Sequence, residues 1–199
     1  MKSIVRKPKQ ERSIEKKNKI IEAGYELFSE VGYYGTNTAE IAKKAGVSTG
    51  IVYGYFQDKR DILICVLEIY INKVFDPLLK VFDKLSSPVN FDILIPQLID
   101  LIIKTHKKHA KMHETLHSLA GSDEAVNAQF IALEDDITVK IADKLISLNE
   151  NADNINEKIH LSMDIIQSFA HEYVFDKHDY IDYLVMKDMV VKTIVSLFK

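Results

Sequence analysis

The chain has 199 residues, 47% of them hydrophobic and 28% charged, with a net charge of −3, enough length and apolar content for a sizeable core. Its apolar runs are broken by charge every few residues, which excludes a membrane span of about 18 apolar residues. The basic start MKSIVRKPKQER has no apolar stretch behind it and so does not read as a secretory signal; the protein is expected to stay in the cytoplasm. The single cysteine, Cys65, excludes a disulfide framework within one chain, and its place in ILICVLEIY fits a buried, inert thiol.

Seven glycines, four prolines and no stretch of sustained apolar alternation point to an all-α protein. Charge is uneven: residues 1–64 hold 12 basic and 8 acidic side chains, residues 65–199 hold 14 and 21. An anionic partner is therefore expected for the first third alone.

Ile20, Gly24, Leu27, Phe28 and Val31 recur at helical spacing and predict a first helix from Ser13 to Val31 with one buried stripe, ended by Gly32. After the connector GYYGTN, Thr38 or Thr36 can cap a second helix to Ala45 that buries Ala39, Ile41, Ala42 and Ala45. Gly46 fits the left-handed position after a helix end, and Ser48 or Thr49 can cap a short third helix, STGIVYGYF. Two short helices joined by a tight glycine turn make a helix-turn-helix. Ile51, Val52 and Phe56 serve its core, leaving Ser48, Thr49, Gly50, Tyr53 and Tyr55 to project. Hydroxyls, a close backbone and tyrosines suit phosphates and base edges, and Lys59 can add a phosphate contact.

The stretch KIIEAGYELFSEVGYYGTNTAEIAKKAGVSTGIVYGYFQDKRDIL, Lys19 to Leu63, closely resembles the DNA-binding domain of the TetR family of bacterial transcriptional repressors. The resemblance rests on Ile20, Leu27, Phe28, Gly32-Tyr33, Thr38, Ile41-Ala42, Ala45-Gly46-Val47-Ser48, Gly50, Tyr53, Phe56, Lys59 and Leu63, and covers about a quarter of the chain. It implies phosphate contacts at Thr38 and Lys59, with Ser48, Thr49, Gly50, Tyr53 and Tyr55 at or near the major groove. Gly24 departs from the usual alanine, and Gly54 falls within the expected recognition helix.

A fourth helix is expected from Lys59 to Phe75, kinked or restarted at Pro77. FDILIPQLIDLIIKTHKKH reads as a central helix, with Pro96 near its first turn; KMHETLHSLAG gives a sixth, ended by Gly121. Ser122 can cap a seventh, with Val126, Phe130, Leu133, Ile137, Ile141, Leu145 and Leu148 on one face. Residues 155–175 and 180–198 form the last two, and the final one is apolar almost all round, so it needs a second cover. A homodimer through residues 155–198, completing a four-helix bundle, supplies that cover. It would also place two recognition helices one turn of DNA apart, about 34–36 Å, or a multiple of that, on a palindrome.

His106, His109, His113 and His117 fall at steps of three, four and four, a spacing zinc would accept. The lysines among them and a break near His109 favour instead solvated or cavity-lining histidines. His106 and His113 are expected to line a small-molecule site with Met112, Phe130, Met163, Gln167 and His171. No cofactor or metal is implied. The chain lacks a phosphate loop, GxGxxG, HExxH, CxxC and GxSxG, and Glu134-Asp135-Asp136 reads as a solvated face, so an enzyme is not expected.

The expectation is therefore a DNA-binding domain over residues 1–58 and a ligand-binding and dimerisation domain over 59–199. Together they form a repressor that binds double-stranded operator DNA as a dimer and is released by a small molecule. The competing reading is a helical small-molecule-binding adaptor without specific DNA binding.

Overall fold

A computed structural model describes residues 11–199; most of the basic segment MKSIVRKPKQER lies outside the described residues. Among the described residues the elements are all helices: α1 (Glu11–Glu30), α2 (Thr38–Lys44), α3 (Thr49–Tyr53), α4 (Lys59–Asp83), α5 (Phe91–Lys108), α6 (Ala110–Ala120), α7 (Glu124–Ser147), α8 (Ile155–Phe175) and α9 (Tyr183–Leu197). None is long and apolar enough to cross a membrane.

The chain divides into two compact units, and not at residue 58. The first takes the chain through Lys73 together with His109–Gln129; the second takes Val74–Lys108 and Phe130–Lys199. The first half of α4, all of α6 and the start of α7 thus join the helix-turn-helix.

In the first unit Ile20 and Phe28 of α1, Ile41 of α2, Val52 of α3, Phe56, and Ile62, Leu63, Val66 and Leu67 of α4 are fully buried. Gly24 lets α1 and α4 approach closely: a Cβ built on it would lie 2.7 Å from Ile62 Cγ2. The apolar stripe is narrower than its periodicity suggests, because Val31 at the end of α1 and Ala39 on α2 are exposed. On α6, Met112 and Leu116 are buried; His109, just before the helix, and His113 within it hydrogen-bond the hydroxyls of Tyr25 and Tyr70 at 3.3 and 3.2 Å. Two of the four spaced histidines therefore hold tyrosines.

The second unit packs α5 against α8 and α9. Leu94, Ile95, Leu98 and Ile99 of α5, Ile137, Ile141 and Leu145 of α7, Ile159, Ile166 and Phe169 of α8, and Ile194 and Val195 of α9 are buried. α4 runs on through Pro77 to Asp83 without restarting. Pro96 is the sixth residue of α5, in its second turn and not its first, so one helical amide donor is missing there. α7 is capped by Asp123 and not by Ser122: its Oδ1 accepts from the amides of Ala125 and Val126 at 3.0 and 3.3 Å. α9 starts three residues later than its apolar pattern suggests, because Asp182 caps it. Cys65 is half-buried, and burial raises its thiol pKa.

Candidate nucleic-acid interface and ligand cavity

The short helices of the first unit are set by their caps. Asn37, and neither Thr36 nor Thr38, is the N-cap of α2. Its side chain accepts from the Glu40 amide at 3.0 Å while the Glu40 carboxylate accepts from the Asn37 amide at 3.0 Å, a reciprocal capping box. Thr36 is buried and donates to the Gly32 carbonyl at 2.8 Å, which ties the connector to the end of α1. Thr38 is half-buried at the first helical position. Gly46 then takes φ +68°, the left-handed turn that an L side chain resists.

Ser48 caps α3, accepting from the Ile51 amide at 3.4 Å. The helix ends at Tyr53. Gly54 is its C-cap and not an interior residue, in ordinary right-handed geometry, and a Cβ there would meet the Ile51 carbonyl at 3.2 Å. With Val52 and Phe56 buried, Ser48, Gly50 and Tyr53 face solvent, Tyr53 at 57% exposure, and Thr49 is half-buried. These four of the seven expected DNA contacts share one small exposed surface.

Tyr55 and Lys59 are engaged elsewhere. The Tyr55 hydroxyl shares a 2.7 Å hydrogen bond with Ser13 Oγ, pinning the chain after α3 to the start of α1. Lys59 Nζ donates to the carbonyls of Tyr33 and Thr36 at 2.6 and 2.8 Å and lies 4.2 Å from the centre of the Tyr33 ring. Burial there holds its ammonium pKa below the usual lysine value. Both residues position the interface's framework. Tyr34, 73% exposed in the connector that Lys59 holds, is a surface residue the sequence reading passed over.

Arg60 follows on the same turn of α4. Its Nε and Nη2 donate to Asp123 Oδ2 and Oδ1 at 2.5 and 2.8 Å, a two-pronged ion pair with the residue that caps α7.

The second unit contains a cavity. Phe75, Leu78 and Phe82 of α4 line it with one face of α5 from Phe91 through Ile102; Ile141 and Leu145 of α7, residues Ile159 to Gln167 of α8, and Phe198 complete the wall. The room it leaves for a water-sized sphere is about 50 Å³, well under the size of an occupied small-molecule site, so a ligand has to part the wall to enter. A smaller recess shares Phe75, Leu78, Ile102 and Gln167 with it and adds Thr105 and His106. Of the expected ligand residues, His106, Met163 and Gln167 are brought together here. His171 instead stands 3.4 Å from Asp176 with its ring against Phe175, and Phe130, half-buried on α7, lines neither space. Met112 and His113 belong to the first unit, because the chain leaves α5 at His109 before α6 begins. The aliphatic wall was the part missed; its signal was the α5 spacing of Phe91, Leu94, Ile95, Leu98 and Ile102.

Residues 20–66 match the family described as bacterial regulatory proteins, tetR family. The HTH-type transcriptional regulator HbdR of Aromatoleum sp. (strain CIB) is 40% identical over 89 residues, 45% of this chain and 38% of that regulator, so the match spans well under half of the relative's length. A crystal structure of a TetR-family transcriptional regulator from Mesorhizobium loti MAFF303099 superposes with a TM-score of 0.72 at 19% identity, covering 94% of this chain and 97% of that one. The fatty acid degradation regulator FadR from Bacillus halodurans superposes at 0.61 with 18% identity, over 94% and 96%. At these identities the two structures show a shared fold. Residues 20–66 thus belong to the tetR family of bacterial regulatory proteins, and the chain as a whole shares its fold with solved TetR-family regulators.

Proposed function

We propose that this regulator is a cytoplasmic repressor that binds a palindromic operator as a homodimer and leaves it when a small molecule occupies the cavity of the second unit. The observation that carries the DNA step is the α2–turn–α3 surface. Val52, Ile41 and Phe56 anchor it from within, while Ser48, Gly50 and Tyr53 face solvent with Thr49 beside them. Thr38, half-buried at the start of α2, is assigned a phosphate contact, and Tyr55 and Lys59 support the surface through their bonds to Ser13, Tyr33 and Thr36. For the dimer, Leu161 on α8 and Leu184, Val185 and Met189 on α9 are exposed in the single chain, Leu184 at 81%. Such a patch on two adjacent helices suits a second copy.

Fluorescence anisotropy on labelled DNA from upstream of the protein's own gene, against scrambled DNA at two salt concentrations, tests the reading. Nanomolar, sequence-dependent binding with two subunits per site is expected. Binding that is absent on this and other promoters would leave the ligand-binding adaptor in its place.

Thr49→Ala and Tyr53→Phe should each weaken specific binding by roughly 1 kcal/mol and leave non-specific binding almost unchanged. Equal losses on both DNAs would remove these residues from base readout. Lys59→Met should weaken both kinds of binding by loosening the connector it ties, without changing the salt slope. A slope reduced by about one would show that Lys59 releases a counterion and touches phosphate itself.

A further inference from the structure

The cavity and its recess share Phe75, Leu78, Ile102 and Gln167, so that their walls make one continuous lining. On α5 its wall runs from Phe91 to His106, about 22 Å at 1.5 Å per residue. One end is closed by the stacked rings of Phe91 and Phe198, 4.5 Å apart and 11° from parallel. Aliphatic and aromatic side chains line the length between. Polar atoms enter at Ser162 and, towards the other end, at Gln167, Thr105 and His106.

Three of those four polar groups are already engaged. Ser162 Oγ donates to the Lys158 carbonyl at 2.6 Å, and Thr105 Oγ1 donates to the Leu101 carbonyl at 2.8 Å. His106 Nδ1 lies 2.9 Å from the Ile102 carbonyl; a carbonyl only accepts, so Nδ1 carries a proton and donates. Gln167 has an amide that can both donate to and accept from a ligand's head group, whereas the Ser162 and Thr105 hydroxyls, their protons committed, can only accept.

No lysine, arginine, aspartate or glutamate is among the residues lining either part. An ionised ligand head drawn in here would lose its water without gaining a counter-charge, and that penalty is large. An uncharged head loses far less and can be satisfied by one amide. We infer that the effector is an uncharged, elongated, mostly aliphatic molecule with a single hydroxyl or amide head held near Gln167, and that the cavity rejects the same chain bearing a carboxylate or an ammonium. This deepens the proposed effector step and rests on it for its regulatory meaning, but the binding itself can be tested apart from DNA.

Three probes share one tail and differ in charge: octan-1-ol, octanoate and octyltrimethylammonium. Because the chain has no tryptophan, Phe75→Trp places a unique fluorophore on the wall, and calorimetry on the unaltered chain controls for the substitution. Octan-1-ol is expected to bind at least tenfold more tightly than either charged probe. Gln167→Leu should narrow that preference by weakening the alcohol while leaving the protein folded. Equal or tighter binding of octanoate or the ammonium would overturn the inference, and so would failure of all three to bind. Anisotropy on operator DNA with the same preparation keeps the two ideas apart. Alcohol binding without DNA binding sinks the repressor and leaves the cavity assignment standing; DNA binding without alcohol binding does the reverse.

Discussion

Gly24→Leu is expected to cost about 3 kcal/mol or more of stability, among the largest effects of any single change outside the aromatic core. The reason is distance. A Cβ at residue 24 would sit 2.7 Å from Ile62 Cγ2 and 3.5 Å from Val66 Cγ2, with Phe28 at 3.8 Å beyond. Ile62, Val66 and Phe28 are fully buried, and the two β-branched side chains have little rotamer freedom with which to retreat. Overpacking of this kind costs typically 1–3 kcal/mol for a few added methylenes, and leucine adds a whole side chain. Gly24→Ala sets two effects of similar size against each other: alanine gains roughly 1 kcal/mol of helix propensity and collides with the same methyl. Its net change should be small beside that of leucine. Urea denaturation followed by circular dichroism gives the magnitude, and amide exchange along α1 and α4 shows whether the loss falls in the first unit. A leucine variant within about 0.5 kcal/mol of the parent would mean that α1 and α4 part easily.

The same glycine shows what a sequence can reveal about this protein. Its place in the stripe Ile20, Gly24, Leu27, Phe28 is readable from spacing alone, and so are the elements: α8 spans the expected residues 155–175, α5 differs by one residue, and the left-handed turn falls on Gly46. Period and turn chemistry are local, and local rules recover local structure. The cap of α2 was misread as Thr38 or Thr36, though its signal was present. Asn37 stands three residues before Glu40, the spacing of a capping box, whereas Thr36 and Thr38 do not have a glutamate at that distance.

Partners far apart in sequence were not legible. Tyr55 finds Ser13 across 42 residues, Lys59 finds Tyr33 and Thr36 across 26 and 23, and Arg60 finds Asp123 across 63. Each of these side chains has a plausible role on DNA when read alone, because a tyrosine hydroxyl or an ammonium suits a phosphate as well as a carbonyl. The cavity failed for a related reason. Methionine and histidine stand out in a sequence as unusual, and four expected ligand residues chosen on that basis or on helical geometry line neither space. The wall is built mainly of leucine, isoleucine and phenylalanine, which look like core until four helices are placed around a gap.

Lys59, Arg60 and Asp61 are consecutive and hold three different segments to one helical turn. Lys59 takes the α1–α2 connector, Arg60 takes the cap of α7, and the Asp61 carboxylate accepts from the Gln57 amide in the α3–α4 link at 2.9 Å. The middle clamp gives the second large prediction. Asp123→Ala removes the α7 cap, worth about 1 kcal/mol, and one half of the ion pair. Arg60 is 42% exposed, so solvent screens that pair and its share is held to about 1 kcal/mol. The total expected loss is about 2 kcal/mol. Asp123→Asn separates the parts, since asparagine can still accept from the Ala125 and Val126 amides and loses only the charge.

The pH dependence follows from the direction of the shift. The Arg60 hydrogen bond, and behind it the Val126 amide, holds the Asp123 carboxyl below its ordinary value. A carboxyl depressed in the folded state contributes stability that is fully present above its unfolded pKa, about 3.9, and is lost as pH falls through the lower folded value. The gap in stability between the parent and Asp123→Asn should therefore be constant from about pH 7 to pH 5 and close as the pH drops below about 4. Urea midpoints of the two proteins across that range measure it. A gap that persists unchanged to pH 3 would show that the pair contributes no charge-dependent stability and that Asp123 acts on α7 as a cap alone.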